Sequence, residues 1–68
     1  MSTTFNSSVI KEASYDGSQR ILTIQFRSGA TYAYQDVDES VHRGLMSATR
    51  VGQFFSQNIR GRFPTTRQ

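Results

Sequence analysis

Three groups of residues carry side chains that could do chemistry. The first is a set of arginines in the second half of the chain, Arg43, Arg50, Arg60, Arg62 and Arg67, with no carboxylate among residues 40–68. A guanidinium presents a planar fork of donors suited to phosphate, so this half is a candidate polyanion or nucleic-acid contact. The simpler role for cations after a helix is to complement its C-terminal dipole and keep the surface solvated. The second group is Tyr32 and Tyr34, alternate aromatics that could stack bases if exposed or pack into a core if not. The third is His42, four residues after Asp38. General acid–base work could use it, but an Asp and a His at this spacing commonly form a surface pair on a helix.

Little else is available for catalysis. The chain has one histidine and no cysteine, too few ligands for a structural metal site and none for a disulfide. It contains no phosphate-cradling glycine loop, nucleophile elbow or recognisable Ser/His/Asp set. The expectation is a non-enzymatic protein with no cofactor and no evident small-molecule substrate. The net charge of +3 is unevenly placed. Residues 1–39 set Lys11, Arg20 and Arg27 against five acids, whereas residues 40–68 carry the five arginines alone. Such asymmetry favours an anionic partner.

The elements that must position these groups follow from patterning. With 68 residues, of which 35% are apolar and 19% charged, one small core is expected, anchored by five Phe and three Tyr. No apolar run approaches the length of a membrane span, and the polar start has no secretory core; a cytoplasmic location without membrane contact is expected. Val9 to Tyr15 reads as a first strand interrupted at Lys11-Glu12, which implies a bulge or an edge position. Asp16-Gly17-Ser18-Gln19 is a turn. Leu22, Ile24 and Phe26 then alternate with polar neighbours and define the core face of a second strand.

The next turn decides where the tyrosines point. A two-residue Ser28-Gly29 loop puts them on the outer face. A three-residue Arg27-Ser28-Gly29 loop closed by a left-handed Gly29 pairs Phe26 with Ala30, Ile24 with Tyr32 and Leu22 with Tyr34. The second is favoured, because Ser is a poor first residue of a type I′ turn and Gly is what the bulged loop requires. Both tyrosines then join the core. The outer face, with Ile21, Thr23, Gln25, Arg27, Thr31, Ala33 and Gln35, has no aromatic to stack bases.

Asp38 opens a first helix with Glu39 in its first turn, and Val41, Leu45 and Ala48 recur on one side with Met46 flanking. Thr49 is the expected N-cap of a second helix with an apolar stripe of Val51, Phe54, Phe55 and Ile59, ending near Gly61. The fold expected is α+β, a three-stranded antiparallel β-meander followed by two short helices packed on one face. Its core comprises Leu22, Ile24, Phe26, Tyr32, Tyr34, Val41, Leu45, Phe54, Phe55 and Ile59. Residues 1–6 and 64–68 are expected to be flexible termini.

In order and spacing, the chain from Ser7 to Phe63 resembles the KTSC domain. The resemblance is carried by Ser7-Ser8, Tyr15-Asp16, Leu22, Ile24 and Phe26 with Gly29, Tyr32-x-Tyr34 and Val37. It continues through Leu45, Ala48, Gly52, Phe54-Phe55, Ile59, Arg60 and Phe63. Asp38 stands where the family often has Pro, His42 where it has an aromatic, and Arg50 where it has Ser, so Thr49 is left to cap the second helix. The family is named for its place at the C-terminus of some lysyl-tRNA synthetases and also occurs as small stand-alone bacterial and phage proteins. The resemblance implies RNA as a partner, without assigning binding residues. A competing expectation is a protein-interaction or accessory module docking through Ile10 and Ile21 on the outer face, Phe5 ahead of the first strand and an unprotected first-strand edge.

Overall fold

A computed structural model describes residues 2–68. The central hairpin follows the alternation of its apolar residues. Strand β3 (Ile21–Phe26) and strand β4 (Thr31–Tyr34) pair Leu22 with Tyr34 and Ile24 with Tyr32. The Phe26 N–H donates to the Ala30 carbonyl at 2.8 Å and the Gly29 N–H to the Phe26 carbonyl at 3.0 Å. Gly29 has φ +100°. The three-residue loop is therefore the one formed, and both tyrosines lie on the same face as Leu22 and Ile24.

Strand β2 (Ile10–Asp16) pairs with β3, and its register shifts between Ile10 and Glu12. The polar Lys11-Glu12 pair thus marks a bulge, and its effect is to turn Ile10 inward. Ile10 opposes Phe26 on the core face and is fully buried, which corrects its expected outer-face position. An extra residue in one strand resets the parity of everything before it.

The sheet has five antiparallel strands in sequential order rather than three. Strand β1 (Ser2–Thr4) pairs with β2, and strand β5 (Thr65–Arg67) pairs with β4. Both lie in the stretches expected to be flexible termini, being short and without apolar alternation; their pairing comes from backbone groups and from anchors nearby. Phe5, next to β1, is buried, and the Arg27 guanidinium donates to the Ser7 and Phe5 carbonyls at 2.9 and 2.7 Å. Beside β5, the half-buried Phe63 packs on the core and the Pro64 carbonyl accepts from the Gln35 N–H. The docking expectation loses its main features here: Phe5 and Ile10 are core residues, and β1 covers the β2 edge. Ile21 alone stays on the outer face, half-buried.

Helix α1 (Glu39–Ser47) begins where the Asp38 carboxylate accepts from the Ser40 N–H and hydroxyl at 3.1 and 2.7 Å. Helix α2 (Val51–Asn58) starts one residue later than expected. The Arg50 carbonyl accepts from the Phe54 N–H, so Arg50, not Thr49, occupies the N-cap, and it makes no side-chain cap bond. The helices approach closely at Gly44, where a Cβ would lie 2.6 Å from the Phe54 ring tip.

The core sits between this helical layer and one sheet face. Of the expected core residues, Leu22, Ile24, Tyr34, Leu45, Phe55 and Ile59 are buried, while Phe26, Tyr32, Val41 and Phe54 are half-buried against them. Phe5, Ile10, Ala13 and Val37 join them. Val37 is held by its backbone: its N–H donates to the Arg20 carbonyl at 2.9 Å and its carbonyl accepts from the Tyr15 hydroxyl at 2.6 Å.

Candidate nucleic-acid interface

Period-two alternation puts Tyr32, Tyr34 and Phe26 on the helix-facing side of the sheet, and the α2 stripe brings Phe55 down onto them. The four rings form a chain of edge-to-face contacts. Tyr32 meets Phe26 at 5.8 Å between centroids, Phe26 meets Phe55 at 5.2 Å, and Phe55 meets Tyr34 at 5.7 Å. Such pairs are a favoured aromatic geometry.

This aromatic row does not close over. It lines a cleft of about 650 Å³, bounded by the β3–β4 loop, by Ser8 and Val9, and by Arg60 and Gly61 after α2. The lining includes Arg27 and Arg60 and no carboxylate. On β5, Arg67 opposes Tyr32 across the strands, and its guanidinium lies 5.9 Å from the centre of the Tyr32 ring. That contact is a cation–π arrangement at its outer range.

Tyr34 is only 5% exposed. Burial, reinforced by nearby Tyr32, pushes its phenol pKa up, against an opposing pull from Arg60. The hydroxyl is therefore neutral and able both to donate and to accept. It has no hydrogen-bond partner among the described residues, yet it is not sealed from solvent.

The five arginines singled out in the sequence do not form one patch. Arg60 lines the cleft and Arg67 overlies Tyr32. Arg62 folds back, its Nε donating to the Gln57 carbonyl at 3.2 Å at the C-terminal end of α2. Arg43 pairs with Glu39 at 3.1 Å on the exposed side of α1. Arg50 lines a separate hollow between the β1–β2 connection and the helix junction. Arg27, expected on the outer face of the sheet, instead lines the cleft, because β3 ends at Phe26 and the loop residue no longer follows the strand's alternation. Its place as first residue of the hairpin loop was the available signal.

His42 lies elsewhere. Its ring stacks on Tyr15 with centroids 4.8 Å apart and planes 12° off parallel, and burial pushes its pKa down. It makes no side-chain pair with Asp38, whose carboxylate is engaged by Ser40 and lies 3.7 Å from Arg20. Those hydrogen bonds from Ser40 hold the Asp38 pKa below the usual carboxylate range. Among the described residues no cluster of three or more His, Cys, Asp or Glu could hold a metal ion, and no helix is long and apolar enough to cross a membrane.

Comparison with known proteins bears on this geometry. Residues 6–63 match the KTSC domain family model. The crystal structure of a KTSC domain protein from Yersinia pestis superposes with a TM-score of 0.96 at 38% identity, covering 100% of this chain and 96% of that one. A lysine–tRNA ligase of Nostoc punctiforme is 45% identical over 56 residues, which is 82% of this chain but 10% of the ligase. A protein of Tsukamurella paurometabola is 39% identical over 57 residues, 84% of this chain and 85% of its own length. The likeness thus spans nearly all of two small proteins and a minor segment of a large enzyme. With its family model, its strand order and its relatives in agreement, this chain belongs to the KTSC domain family.

Proposed function

We propose that this small KTSC module is a non-enzymatic RNA-binding domain that takes single-stranded RNA at the aromatic cleft. The observation that carries the reading is the pairing of an aromatic floor with a basic rim: Tyr32, Phe26 and Phe55 are flanked by Arg27, Arg60 and Arg67, and no carboxylate lines the cleft. Single-strand binding combines these two features, stacking for the bases and guanidinium groups for the phosphates. The presence of a similar segment in lysine–tRNA ligases, enzymes named for acting on a tRNA, supports RNA over other polyanions.

The basic contribution narrows from five arginines to the ones around the cleft. Arg43 is engaged with Glu39 and Arg50 lies in another hollow, so both are peripheral. The test is fluorescence anisotropy of a labelled single-stranded RNA at two salt concentrations. Binding is expected at low salt and should weaken steeply as salt rises, because condensed counterions are released from each contacted phosphate. No binding at low salt removes the proposal.

A further inference from the structure

A basic rim and half-buried rings would suffice for unselective binding, and neither accounts for the Tyr34 hydroxyl. Tyr34 is 5% exposed and lines the cleft, yet its oxygen bonds to no described residue. No buried side-chain polar atom among the described residues lacks a partner, so this oxygen stays open to solvent through the cleft. A ligand edge of matching polarity that enters the cleft can bond to it there.

Three features define what that ligand can be. The floor is aromatic, its neighbouring rings meeting edge to face, so a planar group can lie on a single ring face. Arg60 lines the same cleft as Tyr34, so an anion and a polar edge can be engaged together. The volume of about 650 Å³ falls within the roughly 300–1,000 Å³ of small-ligand sites. A planar heterocycle with polar edges and an attached phosphate meets all three.

Resting on the RNA reading above, the geometry points to a pocket for one unstacked nucleobase, its face on Tyr32, its hydrogen-bonding edge on the Tyr34 hydroxyl and its phosphate on Arg60. Arg67, with its guanidinium 5.9 Å from the centre of the Tyr32 ring, lies beside this stack and meets a neighbouring phosphate. Binding is therefore base-selective, since a hydroxyl that becomes covered by a base without a complementary group is left unpaired.

Two measurements test this. The first compares the four single-stranded RNA homopolymers by anisotropy, for the wild type and Tyr34→Phe. The best and worst polymers should differ by roughly 3- to 10-fold, the worth of one neutral hydrogen bond, and the difference should vanish in Tyr34→Phe while the weaker binding persists. The second follows backbone amide shifts on adding each nucleoside 5′-monophosphate or ribose 5-phosphate to the wild type. The monophosphates should move the amides of Tyr32 and Tyr34 and the base-free sugar phosphate should not, a result that holds even if Tyr34→Phe fails to fold. Equal affinity for all four polymers, or an unchanged difference in a folded Tyr34→Phe, overturns the base pocket and leaves RNA binding standing. Ribose 5-phosphate acting as strongly as the nucleotides overturns it too. Selective nucleotide shifts without RNA binding would keep the pocket and remove the RNA proposal.

Discussion

The imidazole of His42 and the phenol of Tyr15 lie stacked, with centroids 4.8 Å apart and planes within 12° of parallel. This contact joins α1 to β2, and the Tyr15 hydroxyl continues it by donating to the Val37 carbonyl. Burial lowers the His42 pKa, so the folded protein favours the neutral ring. A histidine with a folded pKa below its unfolded value contributes stability that is present above the unfolded pKa of ~6.5 and lost as pH falls through the folded one. The melting temperature should therefore drop as pH is lowered below neutrality. His42→Phe, which keeps an aromatic on Tyr15 and removes the titration, should flatten the curve there. Asp16 and Asp38, whose pKa values are lowered by their serine hydrogen bonds, add a separate loss at more acid pH, present in both proteins. Parallel pH curves for the two would show that His42 is not the group involved.

Gly29 closes the hairpin at φ +100° with open space where a Cβ would go. Gly29→Ala meets no neighbour, so its cost is that of the left-handed backbone, ~1 kcal/mol. Denaturant titration should show a lowered midpoint with an unchanged slope. A variant as stable as the parent would mean the loop relaxes to another turn.

Helix α2 lacks a side-chain cap, because Arg50 holds the N-cap position. Arg50→Ser should supply an oxygen for the free N–H groups of the first turn and stabilise the domain by about 1 kcal/mol. Thr49→Ala, one residue outside the helix, should change little. The reverse order in thermal melts would place the cap at Thr49 instead.

Arg60 and Arg67 are the two sequence-flagged arginines beside the aromatic floor. Replacing both by Gln should weaken RNA binding and reduce the salt-dependence slope by about 1.4, at roughly 0.7 per lost single-strand phosphate contact. Arg43→Gln should leave the slope unchanged, since that side chain pairs with Glu39 on α1 and does not line the cleft. Equal effects from Arg43→Gln and the double variant would mean the charge acts as a diffuse field, not at the cleft.

What was legible in the sequence was local. The alternation of Leu22, Ile24 and Phe26, the glycine that a bulged three-residue loop needs, the carboxylate at Asp38 and the helical stripe of Phe54, Phe55 and Ile59 each act over a few residues, and each has its expected place. The Lys11-Glu12 interruption also announced a bulge, although the direction in which it turned Ile10 depended on the partner strand. Edge strands β1 and β5 could not be read, because Ser2–Thr4 and Thr65–Arg67 are held by backbone pairing with neighbours distant in the chain and carry no apolar pattern of their own. The candidate site divides in the same way. Arginine content pointed to an anion-binding half, but which guanidinium meets which ring is a matter of chain reversal: Arg27 arrives from the hairpin, Arg60 from the end of α2 and Arg67 from a strand that exists only through its pairing with β4. Burial of Tyr34 with its hydroxyl still open to a cleft is likewise a tertiary fact, since it requires the sheet face and α2 to approach without sealing the space between them.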